Sequence, residues 1–405
     1  MANHPTRDDI DLLDGSFYVD NPRDKYAWMR ANAPVYFDAA NGVWGIASYR
    51  ALLAAEKDAA TFSNAGGIRP DSGPIPMMID MDDPEHWARR KLVNKGFTPR
   101  RVRDSEQKIR DVCDAIIDTV CERGECDFVR DIAAPLPMIL IGDMLGVAPE
   151  DRDDLLQWSD DMVSAQSGNA TEEQWQKAMQ AMDGYTAFCT HAVAERQRRP
   201  TDDLMSILVH AEVDGDRLAP DEVLHESLLI LVGGDETTRH VVSGGMEQLV
   251  LHPEQRKLLV DDAEKITIAV EEMLRWVTPI KNMCRTMTRD TEFMGESLHA
   301  GEKCMLLFES ANFDEERFVE PERFDVERDP NEHLAFGFGT HFCLGQALAR
   351  LELKVMFEQL LRRLPDIELA ADPASLPRRR ANFISGLESM PVTFTASKPL
   401  LRSTV

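Results

Sequence analysis

Apolar residues recur every three to four positions over most of the chain. "DSEQKIRDVCDAIIDTVCERG", "DLLQWSDDMV" and "EEQWQKAMQAMDGYTAFCTHAVAERQ" each carry that spacing, which predicts amphipathic helices. The longest predicted helix begins after Pro220, where Asp221 and Glu222 suit a helix N-terminus. It continues through "DEVLHESLLILVGGDETTRHVVSGGMEQLVL" and stops before Pro253. About 30 residues at 1.5 Å each would span roughly 45 Å. Its "LLILV" stretch is apolar on every side and predicts burial. Period-two patterning is rarer. "PVYFDAANGVWGIASY" places Asn41-Gly42 between two apolar runs, a hairpin signal, and "KCMLLF" and "MPVTFTA" read as short strands. The predicted fold is mainly α, with small β-sheets near the N-terminus and in the last third.

Composition narrows this picture. The chain has 405 residues, 43% hydrophobic and 29% charged, as in globular proteins. No linker, repeat or low-complexity tract divides it, so residues 1–405 are expected to form a single domain. The net charge of −26 disfavours nucleic acid and anionic membranes as partners. Arg89, Arg90, Lys91, Lys95, Arg100, Arg101 and Arg103 nevertheless crowd into one segment. They read as a solvated helix face or as a dock for an acidic partner. The polar start "MANHPTRDDIDLL" is no signal peptide, and no apolar run reaches the roughly 18 residues of a membrane span. A soluble, cytoplasmic protein is therefore expected, and its seven scattered cysteines are expected to be reduced thiols.

Three constellations carry candidate chemistry. The first is the glycine-rich run from Gly337 to Gly345, which presents Cys343 where a helix begins. Free N–H groups and the helix dipole there favour a thiolate. A single soft anionic sulfur suits a metal that brings its other ligands with it, as haem iron does. A zinc site would want four protein ligands, and no CxxC or HxxxH pair is present. A nucleophilic cysteine with His341 as base, or an inert buried cysteine, are the other readings. The second constellation is Gly233-Gly234-Asp235-Glu236-Thr237-Thr238, set inside an apolar helix. Mid-helix glycines and buried acids are both costly, so their joint presence points to a need for space and for proton handling. The third is Glu272 with Arg275, three apart on one helix face.

Together these pieces resemble the cytochromes P-450, the haem-thiolate monooxygenases, in their soluble bacterial class. The loop matches the FGxGxHxCxG signature, Glu272 and Arg275 match ExxR, and "GGDETT" matches the acid–threonine motif. "PERFD" and "DPEHWARRKLVNKGF" also fall in the family's order. "GGDETTRH", "NMCR", "LLFESANFDE" and "NFISGLESMPV" are similar to the mycobacterial subfamily that oxidises the side chain of cholesterol and cholest-4-en-3-one.

The resemblance implies haem b between the long helix and the cysteine loop, with Cys343 as axial thiolate. It implies His86, Arg90, Arg285 and His341 around the haem propionates, with Phe336 and Gly337 in the ligand loop. Glu236 and Thr237 would relay protons to oxygen, leaving open whether Asp235 or Glu236 is the acting acid. Glu272 and Arg275 would be structural, with Arg323 as their partner. Substrate would meet Ile75, Met78, Val232, Gly233, Val277, Ile280, Phe383 and Ile384. O₂-dependent hydroxylation of a terminal sterol side-chain carbon, continuing to the acid, is the implied activity. Electrons would come from ferredoxin and ferredoxin reductase, docked on the Arg89–Arg103 segment and on Arg378, Arg379 and Arg380. The rival activities are fatty-acid or terpene oxidation, a peroxygenase, and a non-enzymatic haem sensor or lipid-binding protein.

Overall fold

The computed structural model describes residues 4–20, 22–165, 170–213 and 215–400; the first three residues of the polar N-terminus lie outside them. The helical patterns emerge as Glu106–Val120, Arg152–Ser164 and Glu172–Arg198. The long helix runs unbroken from Pro220 to Leu251, with Pro220 in its first turn and the Glu222 carboxylate accepting the Ala219 N–H at 2.7 Å.

This central helix serves two cores. Its N-terminal half contributes Leu228 and Leu231 to a cluster with Met138, Ile141, Tyr185 and Leu208. Its C-terminal half contributes Val241, Val242, Met246 and Leu249 to a cluster with Ile266, Met273, Phe357 and Leu360. Gly245 permits a close crossing there, since a Cβ would stand 2.9 Å from Phe357 and 3.0 Å from the Met273 sulfur. Each fully buried side chain of this kind contributes about 1.5–3 kcal/mol of transfer free energy. The polar motif at 233–240 lies between the two cores.

The expected hairpin forms from Val35–Asp38 and Val43–Ile46, with Gly42 at φ 67° in a four-residue loop. It joins a five-stranded sheet in the order Val35–Asp38, Val43–Ile46, Lys303–Leu307, Asn282–Met287, Phe62–Ser63. The second and third strands are parallel and the other pairs antiparallel. Side chains alternate across a strand. Cys284 therefore packs with Met305 and Leu307, while Arg285 reaches the other side toward Glu56.

The ExxR pair is buried at the end of the helix Ile266–Val277. Arg275 donates to both Glu272 oxygens, at 2.7 and 2.8 Å. The expected third member, Arg323, is not their partner. It is exposed and faces Glu320 and Asp325. Arg328 takes that place, with Nε 3.1 Å from Glu272 Oε2 and three further donors on the carbonyls of Val319, Glu320 and Arg323. The chain turns so that the arginine five residues later points inward. Arg328→Ala should destabilise the protein by about 3 kcal/mol, because it leaves buried charge under-compensated. Arg323→Ala should stay within about 0.5 kcal/mol, as exposed sites do. Urea midpoints of the two variants check this.

Candidate active site

Cys343 lies in the turn that enters the helix Gln346–Arg363, its N–H donating to the Phe336 carbonyl at 2.9 Å. Gly337 and Gly339 take φ 67° and 73°, which favours glycine. Burial raises the Cys343 thiol pKa, while the Gly345 and Gln346 N–H groups and the cations Arg90 and Arg350 pull it down. The helix-start donors expected from the sequence are present, and burial outweighs them. Arg350 also sits 4.5 Å from the Phe336 ring and pairs with Glu271.

The four predicted propionate residues converge on this loop. His86 stacks on His341 with ring centroids 4.1 Å apart, and its Nδ1 lies 3.1 Å from Asp83. Arg90 donates to the carbonyls of Thr340 and Phe342. Arg285 is buried and lies 3.3 Å from Glu56 Oε1. Burial first, then His86, Arg285 and Arg90, push the His341 pKa far down.

On the central helix the two adjacent acids face different surroundings. Glu236 sits among Arg239, Arg379 (2.7 Å) and His240 (3.3 Å). Burial works against its charge, but these three outweigh it and hold the carboxyl well below the usual range. Asp235 is fully buried, and its oxygens lack a well-formed hydrogen bond among the described residues. Burial pushes its carboxyl up to about 7, against the pull of Arg239 and the Ser159 hydroxyl. Asp160 reaches Arg239 at 3.0 Å from the helix Arg152–Ser164. The Thr237 hydroxyl donates to the Gly233 carbonyl at 2.8 Å, so its lone pairs are left to accept.

The predicted substrate loops form a connected wall. Lys281 N–H donates to Phe383 O and Ser385 N–H to Pro279 O, while Cys284 N–H donates to Ile68 O. Ile280 bridges Ile384 and packs with Phe383 and Ile68. Ile75, Met78 and Val232 belong to a neighbouring cluster, and Ile79 packs against both. The Glu226 carboxylate takes the Met78 N–H at 2.9 Å and fixes that loop to the central helix. Val277 departs from the expectation. It packs behind the wall against Gly244, where a Cβ would stand 2.8 Å from it.

Other expected positions also move. Arg89 is tied to Glu222 and Glu226. Arg378, Arg379 and Arg380 pair with Glu247, Glu236 and Asp20, so they are not a free basic patch. Arg239, His240, Asp160, Glu56 and Arg328 were missed from the sequence, and Arg379, expected at the dock, stands at Glu236 instead. Only Arg239 and His240 carried a signal, their i+3 and i+4 spacing from Glu236.

The cytochrome P450 family profile matches residues 76–365. The chain belongs to the cytochrome P450 family. It is 61% identical to a Mycobacterium tuberculosis protein named "Steroid C26-monooxygenase" over 97% of this chain and 98% of that one. A Mycolicibacterium smegmatis protein of the same name is 58% identical over 99% and 100%. Among solved structures, a Mycobacterium marinum cytochrome P450 in complex with pseudoionone matches with TM-score 0.89 and 34% identity, over 97% and 100% of the two chains.

This cytochrome P450 is a haem-thiolate monooxygenase whose cofactor is haem b; it uses O₂, an organic substrate and a redox partner. The residues present fit that group. Two arginines and two histidines whose rings can donate meet at the loop, a donor set that suits anions. A Cβ at Gly233 or Gly345 would meet no atom within 4 Å, which leaves room beside the helix and the thiol. Among the described residues, no helix is long and apolar enough to cross a membrane, and no three His, Cys, Asp or Glu are grouped to hold a bare metal ion. At about pH 5.5, a wild-type-minus-Asp235→Asn infrared difference spectrum should contain a protonated-carboxyl band. That band should fade as pH rises through about 7. The corresponding Glu236→Gln difference should lack it.

Proposed function

We propose that the protein hydroxylates the terminal side-chain carbon of a sterol such as cholesterol or cholest-4-en-3-one and carries the alcohol on to the acid. The observation that carries this reading is the 61% and 58% identity, over nearly the whole chain, to two proteins named "Steroid C26-monooxygenase". Residues 1–405 act as one catalytic domain. Each round inserts one atom of O₂ into the substrate and reduces the other to water with two electrons and two protons.

Haem bound through the Cys343 thiolate supplies the oxygen activation. The protein's own residues bind, orient and deliver protons. Arg90, Arg285, His86 and His341 hold the two propionates as hydrogen-bond donors in a closed setting. Phe336 packs beside the thiolate, and Gly337 turns the loop past it. Asp235 is the acid that carries a proton near neutral pH; Glu236, ringed by Arg239, Arg379 and His240, stays charged and anchors the helix at this point. Thr237 accepts a proton at Oγ1 and passes it on. The wall of Ile280, Phe383, Ile384, Ile75, Met78 and Val232 excludes water and receives a long apolar molecule beside Gly233.

The optical titration of the ferric holoprotein with cholest-4-en-3-one tests this. A saturable low-to-high-spin shift at an affinity on the order of micromolar is expected. Absence of a shift, with a normal thiolate-type spectrum of the reduced carbon monoxide complex, would discard the sterol. Fatty acids and terpenes would then be titrated.

We further infer that the redox partner is an acidic ferredoxin, supplied by a ferredoxin reductase, in the cytoplasm. Its dock is narrower than the full basic segment. Trp87 is 55% exposed with Lys91 3.3 Å from its ring centroid, and Phe338 is exposed with Lys57 5.4 Å from its own. Arg100 and Arg103 are exposed nearby in sequence, whereas Arg89 is engaged internally. Lys91→Glu should slow reduction by ferredoxin by roughly tenfold at low salt and flatten its salt dependence. Unchanged stopped-flow reduction kinetics would remove this face from the dock.

A further inference from the structure

The group of cations at the ligand loop also contains an acid. Glu56 lies near the end of the helix Tyr49–Lys57 and is 6% exposed. Its Oε1 faces Arg285 Nη2 at 3.3 Å, and the Phe338 N–H favours the charged form of the carboxyl; its Oε2 has no hydrogen-bond partner among the described residues. The loop glycines shape themselves to it. A Cβ on Gly337 would stand 3.4 Å from Oε1, and one on Gly339 would stand 2.7 Å from the Glu56 carbonyl oxygen. A purely structural ion pair would satisfy both carboxyl oxygens. Here one oxygen is left bare in the interior, beside the arginine most deeply buried in the cation group.

Arg285 has five N–H donors. One goes to the Cys284 carbonyl at 3.0 Å and one makes the long contact to Glu56. The others remain for a second anion. We propose that Glu56 is a positioning residue of the haem site, sharing Arg285 with a haem propionate and setting the charge felt at that edge of the haem. The proposal rests on the assignment of Arg285 to a propionate.

The charged surroundings of Glu56 are simple. Arg285 faces it from the strand Asn282–Met287, and the ligand loop offers only backbone at 337–339. Asp80 and Asp82 act on Arg285 from the loop before the Glu85–Val93 helix, as does the neighbouring Cys284. His341 is linked to Arg285 from the other side. Lys57, on the same helix, turns to the Phe338 ring. Burial pushes the Glu56 carboxyl up to about 7, with Arg285 and the Phe338 N–H opposing. Above that pH the acid is charged, weakens the hold of Arg285 on the propionate, and opposes the arrival of an electron. Below it, the acid is neutral and Arg285 serves the propionate alone.

The test is a dithionite redox titration of the holoprotein from about pH 6 to about pH 9, for wild type, the isosteric Glu56→Gln and the shortened Glu56→Asp. Reduction is a one-electron uptake by the iron, with no atom transferred. At high pH, Glu56→Gln should favour the ferrous form by up to about tenfold, about 59 mV for one electron. The gap should close toward low pH, and Glu56→Asp should keep a pH-dependent potential. Superimposable Glu56→Gln and wild-type curves, or a gap that ignores pH, would overturn the proposal. Haem loss to apomyoglobin separates the underlying assignment. Arg285→Lys should lose haem faster and Glu56→Gln more slowly. An unchanged rate in Arg285→Lys would overturn the propionate assignment and the proposal with it. Faster loss there, with superimposable redox curves for Glu56→Gln, would overturn the role of Glu56 alone.

Discussion

One buried carboxylate organises the approach to the cysteine loop. Glu272 accepts hydrogen bonds from Arg275 twice, from the Asp325 N–H at 3.0 Å, from Arg328 at 3.1 Å and from Asn331 at 3.1 Å. A charge with no access to water must find such partners inside the protein; besides Arg275 on the same helix, they come from one continuous segment, residues 325–331. That segment leads directly into residues 333–343. Arg275 extends the same anchor to the Asn312 carbonyl, and Asn312 Oδ1 accepts the Leu334 N–H at 2.7 Å. The far end of the loop is fixed by the helix Gln346–Arg363, packed on the central helix. The glycines between can take unusual backbone angles because both ends are already set.

A second constraint acts across the loop, on the central helix. Consecutive helical residues point about 100° apart, so Asp235 and Glu236, although both act on Arg239, otherwise meet different neighbours. Glu236 is matched by charges from its own helix and from Arg379, which folds back from the C-terminal region. Asp235 has only the pull of the shared Arg239 and of the Ser159 hydroxyl against its burial, and its carboxyl is pushed up to about 7. The difference between a held charge and a held proton comes from packing rather than from residue type.

Much of this was readable in advance, for identifiable reasons. Period and terminal signals marked the central helix from Pro220 to Leu251 because helix caps and apolar spacing are local properties. Cys343 stood out because glycines and a helix start surround it. The choice of Arg328 over Arg323 was not local. Both arginines lie in one polar stretch, and only the path of residues 319–331 decides which turns inward. Arg379 looked like part of a basic surface run until the chain brought it to Glu236. Glu56 resembles any acid at the end of a short helix. Its meaning comes from Arg285 and Gly339, more than 200 residues away. Val277 carried the apolar character of its neighbours and faced the other side of the wall.

The parallel pairing of Val43–Ile46 with Lys303–Leu307 has a consequence for how the chain is made. The two strands are about 260 residues apart in sequence. At roughly 5–20 residues per second, translation leaves the apolar inner edge of the hairpin without its neighbour for roughly 13 to 50 s. Such non-local closure is slow and leaves the newborn chain prone to sticking to its copies. Cys343 emerges later still, so the thiolate ligand becomes available only after both strands have been made. Slower synthesis would lengthen the exposed interval, whereas a chaperone that covers residues 43–46 would shorten its effect.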